Sequence, residues 1–441
     1  MARLPLLDRR KYENGIHYDA RFLPGNGGRC YVKTPTGGPK YGVLTDFFTF
    51  TGDNKSMYRN ASGLLVSSAT NTPRIEYDAS GNLLGLLVEG ARTNLCLQSQ
   101  TLNVDGAGVP WTNSGNTVSA NATTAPDGTA TADKLVEDGN NSTHAIFQTF
   151  TKAASALTYT YSIWVKAAGR GFAQMRIADA TNSANRVLVN VDLTTGAVSG
   201  VAAAGTFSAA SATTATYSNG WFRIALTGTS STETSINVLL FIASASGTIT
   251  YQGDSSSGIY GWGAQFEASS SFPSSYIPTT TGSVARASDL PSRVFGSEVS
   301  QSAGTVLIES TPYASGQVTE AWVTIGDGTT NERHTLIRSN NLQPEYTVHD
   351  GGVAQADLAS AGLTHAAGAT KKTAFAYALN DFVNVHNGTV ANTDASGTLP
   401  TTTTMYLGNL NGASNFAFGH IRRLDYWPER KSDAFLRRIT T

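Results

Sequence analysis

The sequence predicts an all-β chain: a loop-rich N-terminal arm, two antiparallel jelly-roll β-sandwiches in tandem, and a short C-terminal helix. Three observations predict it. Apolar residues recur with a period of two in several segments, and no segment sustains an apolar period of 3.6. Turn dipeptides such as Thr195-Gly196, Asn219-Gly220 and Asn387-Gly388 fall between those segments at strand-connecting spacing. Charged residues make up only 14% of the chain, against about 25% in ordinary soluble domains. Gly, Ser, Thr, Ala and Asn take their place, which suits sheets with many turns and weakly charged outer faces.

Residues 1–82 carry Gly and Pro at short intervals, as in PGNGG and PTGGPK, with strand candidates only at Tyr41–Phe50 and Arg74–Tyr77. So loop-dense a segment buries little surface alone. The expectation is an attachment and oligomerisation arm that gains order on a neighbour. Leu83, Leu84, Leu86, Leu87 and Val88 follow, an apolar run too short to span a bilayer. It reads as a buried strand entering the polar turn Glu89-Gly90-Ala91-Arg92-Thr93-Asn94.

Residues 83–285 form the first expected sandwich. Tyr159, Tyr161, Ile163 and Val165 alternate with Thr160, Ser162, Trp164 and Lys166, and the pattern returns at Val187–Leu193 and Ile236–Ile242. Trp164 lies off the Tyr161/Ile163 face; a structural role is expected for it, and a partner subunit can cover such a face. Phe272–Arg286, with two prolines and a Ser/Thr cluster, reads as a linker or a strand crossing between domains. Residues 286–441 form the second expected sandwich, with strands at Val306–Glu309, Ala321–Ile325, Tyr346–His349, Thr373–Leu379 and Phe382–His386. Asn387-Gly388 marks a type I′ hairpin, because both positions need positive φ. Ser432 can cap a last helix whose first turn holds Asp433 and whose last holds Arg437 and Arg438.

A chain of 441 residues with net charge −1 has no basic excess, so neither nucleic acid nor membrane insertion is expected. Cys30 and Cys96 are the only cysteines and are read as buried reduced thiols, with pairing left open. The opening MARLPLLDRRKYENG lacks the apolar stretch of a signal peptide, so synthesis in a cytoplasm is expected.

Several segments resemble a known family. Thr70–Asp78 (TNTPRIEYD) followed by Leu86–Asn94 (LLVEGARTN) is similar to a junction found in virion structural proteins of tailed bacteriophages and prophages. Ala125–Leu135, Gly258–Thr280 and Gly419–Leu436 agree with it, the last resembling the ending of phage domains of concanavalin A-like lectin/glucanase type. The resemblance implies a tail-fibre, head-fibre or minor-tail type of component, localised to the virion. It also implies lectin-like modules in a homo-oligomer, a trimer above others, docked to other virion proteins through residues 1–82.

A glycosidase needs two carboxylates at fixed separation. The alternating E-x-D-x-E pattern of glucanases of this fold is absent, and Glu267 and Glu309 stand alone on their strands. No catalytic residue and no cofactor is expected. The alternative is a polysaccharide-degrading tail enzyme. His334, His349 and His365 fit no zinc spacing, and Asp327-Gly328 and Asp350-Gly351 read as plain turns, so no metal is expected either. Binding of host-surface saccharide is the natural task for such modules. Alternation would turn Trp322 outward from Ala321, Val323 and Ile325, near Arg333, Tyr346 and His349. These four are the candidate saccharide-binding residues; the alternative for Trp322 is packing against a neighbouring domain or subunit.

Overall fold

The computed structural model describes residues 13–21, 29–102, 110–313 and 318–441. Two antiparallel β-sandwiches account for nearly all of them, with one short helix, Asp433–Thr440, near the C-terminus. Ser432 caps that helix by accepting from Phe435 N at 3.3 Å, as its position suggested. No helix among the described residues is long and apolar enough to cross a membrane.

The chain divides differently from the expected boundaries. One unit comprises Met1–Asn54, Ser68–Ala91 and Ala287–Thr441; the other comprises Lys55–Ser67 and Arg92–Arg286. The strands before residue 82 are therefore mostly built into the sandwich whose remainder lies at the far end of the sequence. Gly15–Asp19 pairs on one side with Gly419–Trp427 and on the other with Arg29–Lys33. The segment expected as one strand over Tyr41–Phe50 is broken by a helical turn at Leu44–Asp46 into Lys40–Gly42 and Thr49–Thr51. Its two halves join different sheets.

In the first unit, one sheet of ten strands runs from Lys40–Gly42 through Gly419–Trp427 and Ala303–Pro312 to Thr389–Asp394. The hairpin of Arg74–Tyr77 and Leu83–Val88 extends it. The facing sheet orders seven strands: Val353–Ala359, Pro344–Asp350, Arg333–Arg338, Glu320–Gly326, Thr404–Leu407, Leu290–Val294 and Thr49–Thr51. Ile16, Val88, Ile308, Val323, Leu336, Phe375 and Met405 are among the residues that fill the core. Asn387 (φ 47°) and Gly388 (φ 82°) make the expected hairpin between Asp381–His386 and Thr389–Asp394.

The family-like junction is the joint of this unit. Arg74 is 3% exposed, bridges Glu89 at 2.9 Å and pairs with Asp289. Asp289 also accepts from Glu89 N at 2.9 Å, so two chain segments 200 residues apart are tied by one carboxylate. A buried guanidinium needs this many acceptors to offset its lost hydration.

In the second unit a seven-stranded sheet including Asn141–Thr151, Ser235–Ala243 and Phe172–Asp179 faces a six-stranded sheet including Gly258–Ala268, Leu157–Ala168 and Phe222–Ser230. Tyr161, Ile163, Val189, Ile224 and Leu240 lie in its core. Asn94, wholly buried, donates to Ala264 O (3.0 Å) and Ile277 O (2.8 Å) and accepts from Cys96 N and Phe266 N, both at 3.0 Å. That saturates the amide and pins three stretches together. Trp164 points out of this core, as its alternation required, but the chain itself covers it. It packs at 5.5 Å from Trp262 and 5.2 Å from Tyr276, in a cluster closed by Met57 and Leu65 of the Lys55–Ser67 insertion. Residues 272–286 are likewise folded into this unit: Val284–Arg286 pairs with Arg92–Asn94.

Candidate functional site

Of the four candidate saccharide residues, two reach the surface and two do not. Trp322 is 2% exposed and lies in the core of the first unit. The cause is a β-bulge. Ala321 is opposite Ile337 and Val323 is opposite Leu336, leaving Trp322 as the extra residue. Its side chain joins Val323 and Ile325 on the inner face instead of alternating away from them. Tyr346 is also fully buried, bonding His334 Nδ1 at 2.8 Å and stacking on Phe375 at 4.2 Å. Tyr346 and His349 are three positions apart, an odd step that puts the two on opposite faces of their strand. Trp322 and Tyr346 are therefore withdrawn from the site.

Arg333 and His349 remain together. They are register partners on adjacent strands of the seven-stranded sheet, both half-buried on its outer face, with Arg333 Nη2 3.3 Å from His349 Nε2. The same face carries a feature that alternation in single strands does not reveal. A register row runs from Asp357 through Thr347, Thr335, Thr324 and Tyr406 to Ser292, one hydrogen-bonding side chain per strand. Strands lie about 4.8 Å apart; along the row Asp357 is exposed, Thr347, Tyr406 and Ser292 are half-buried, and Thr335 and Thr324 are buried. Thr324 spends its hydroxyl on Asn409 O at 3.1 Å, whereas the Thr335 hydroxyl has no partner among the described residues.

Glu345 and Asp357 belong to this face as well. Burial pushes the Glu345 carboxyl up to about 7, and a hydrogen bond to Asp357 and that residue's charge act in the same direction. Sequence inspection missed the pair because its members lie on different strands and meet diagonally across the register.

The other acidic candidates have structural partners. Glu267 is wholly buried and accepts from Ser274 N (3.0 Å) and Ser274 Oγ (2.5 Å). Glu309 lies 3.7 Å from Arg21 and 3.8 Å from Arg422. Asp327 closes its own turn by accepting from Thr329 N and Oγ1, and Asp350 accepts from Thr398 Oγ1. Among the described residues, no group of three or more His, Cys, Asp or Glu side chains is placed to hold a metal ion. Cys30 and Cys96 are free and buried, one in each unit. In the second unit a cleft of about 330 Å³ is lined by Leu97, Gln148, Phe150, Tyr159 and Phe266. Its rings pack against one another at 4.8 and 4.9 Å.

No family model matches the chain, and no curated protein matches it. Solved structures with local likeness include the CBM40 of Ruminococcus gnavus IT-sialidase bound to α2,3-sialyllactose (16% identity, 32% of this chain and 83% of that one, TM-score 0.29). Domain 4 of AbnA, a GH43 extracellular arabinanase from Geobacillus stearothermophilus, in complex with arabinotriose, is 12% identical over 38% of this chain and 81% of that one (TM-score 0.29). A heptameric SAP-like pentraxin from Limulus polyphemus is 10% identical over 32% and 73% (TM-score 0.25). With every one of these scores below 0.5, the assignment of two β-sandwiches stands on the strand pairings described above.

Proposed function

We propose that this chain is a non-enzymatic virion component of a tailed bacteriophage, a fibre or spike subunit whose lectin-like sandwiches hold shape and bind saccharide on the host surface. One observation carries the reading. The segments that resemble phage virion proteins contain the residues on which the two folds turn: Arg74 with Glu89, Asn94, and the capped helix after Ser432. A resemblance held in fold-determining positions is stronger than one held in composition. Arg333, His349, Thr347 and Asp357, which reach the outer face of the seven-stranded sheet, give such a component polar groups suited to sugar hydroxyls.

The assignment includes homo-oligomerisation, with a trimer first, and docking to other virion proteins through surfaces contributed by residues 1–82. Labelling particles with antibody raised against the purified chain tests it. Decoration of intact virions at a fixed structure supports the reading, and a chain found only in the lysate and never on particles refutes it.

A further inference from the structure

This inference rests on the saccharide reading and specifies the sugar's chemistry. On the outer face of the seven-stranded sheet, Arg333 Nη2 donates to His349 Nε2 at 3.3 Å. A guanidinium has no lone pair to give, so the imidazole must accept, and an accepting Nε2 places the ring proton on Nδ1. Burial, then the Arg333 charge, lower the His349 pKa against the pull of Asp357, which keeps the ring neutral near pH 7. His349 Nδ1 is buried and has no partner among the described residues.

Two further donors share the patch. Arg333 has no carboxylate partner among the described residues, and burial alone acts on its guanidinium. Thr335, two residues along the same strand, is 1% exposed, and its hydroxyl also lacks a partner. A guanidinium, an imidazole N–H and a hydroxyl thus sit within two adjacent strands, each short of an acceptor. Leaving such donors unmet costs free energy that a ligand oxygen would recover. Next to them, past Thr347, lie the carboxyls of Glu345 and Asp357, which can accept from ligand hydroxyls.

We propose that this patch binds an acidic saccharide through its carboxylate, with Arg333 paired to the carboxylate, His349 Nδ1–H and Thr335 donating to neighbouring oxygens, and Glu345 and Asp357 accepting from sugar hydroxyls. The division of the patch into a donor end and an acceptor end matches a sugar that carries both an anion and hydroxyls. A planar carboxylate also suits the fork of an arginine better than a spherical anion does.

Calorimetric titration of the full chain tests this with α-1,4-oligogalacturonate, its fully methyl-esterified form, and a panel of other acidic and neutral oligosaccharides. The acid form is expected to bind at least tenfold more tightly than the ester. Arg333→Ala should abolish that difference and Arg333→Lys should keep part of it, with the circular dichroism spectrum of each variant checking that it folds. Equal binding of acid and ester, or a preference that survives Arg333→Ala, overturns the inference and leaves saccharide binding standing. Binding of neutral members alone overturns it likewise. If no saccharide of either kind binds, the reading beneath it falls as well.

Discussion

His17 and Asp425, separated by 408 residues in the chain, are hydrogen-bonded at 2.9 Å in the interior of the first unit, both fully buried. Their strands are paired over Ile16–Asp19 and Arg423–Tyr426. Gly15–Asp19 is thus part of the sandwich that Gly419–Trp427 completes.

Removal of residues 1–82 should accordingly unfold the first unit, because it strips the partner strand from Gly419–Trp427 and leaves a long unpaired edge. Limited proteolysis of the truncated chain would show residues 287–441 degraded. Intact, protease-resistant 287–441 would contradict the pairing. The milder His17→Ala should cost about 2 kcal/mol, the scale of a hydrogen bond to a charged group, read as a fall in the melting temperature.

Arg74 and Glu89 make a second long-range prediction. Arg74→Ala leaves Glu89 buried without its cation, which should destabilise the first unit by about 3–5 kcal/mol. Scanning calorimetry would detect it. A shift under about 1 kcal/mol would mean that the pair behaves like a surface bridge.

Asn94→Ala should destabilise the second unit by about 3 kcal/mol or more, since two buried N–H groups and two carbonyls lose their partner together. Asn94→Asp should fail to rescue it: the acceptor survives, but a negative charge then faces Ala264 O and Ile277 O. Denaturant titration of both variants checks the claim.

The Glu345 carboxyl, held up to about 7 by burial first and Asp357 next, binds a proton more tightly folded than unfolded. Its contribution to stability is full below the ordinary glutamate range and is lost as pH rises through about 7. Burial holds His334, His349, His365 and His386 of the same unit below the ordinary histidine range, and these work the other way as pH rises from 5, so the test is the difference between two chains. Between pH 5 and pH 8 the melting temperature of Glu345→Gln should rise more, or fall less, than that of the unaltered protein. Glu320, whose carboxyl burial also pushes up to about 7 against the opposing Arg338, acts in the same direction as Glu345. An unchanged profile in Glu345→Gln would count against a raised Glu345 carboxyl.

Both thiols should be inert in the native state. Burial pushes the Cys30 thiol up to about 12 and raises Cys96 as well. A thiol reagent should find no reactive cysteine in folded protein and both after denaturation. Fast labelling of either without denaturant would show that its burial is wrong.

Periodicity made the sandwiches legible, and turn chemistry did the same for the Asn387-Gly388 hairpin and the Ser432 cap, because these features are set by residues near one another in sequence. What stayed hidden is non-local. The short strands at Gly15–Asp19 and Arg29–Lys33 look like arm because their pairing depends on a strand 400 residues away. Trp322 was misplaced because a bulge is decided by the neighbouring strand's register, which one strand's alternation does not contain. Arg333 and His349 were legible as residue types in the right region, but the polar row and the Glu345–Asp357 pair exist only once the sheet is assembled.

The central claim is that the outer sheet face holds saccharide without cleaving it. Mixing the purified chain with an acidic surface polysaccharide that it retains, and following both the bound fraction and polymer length over hours, tests it most directly. The account predicts saturable retention, lost in Arg333→Ala, with polymer length unchanged. Progressive shortening of the polymer would contradict it.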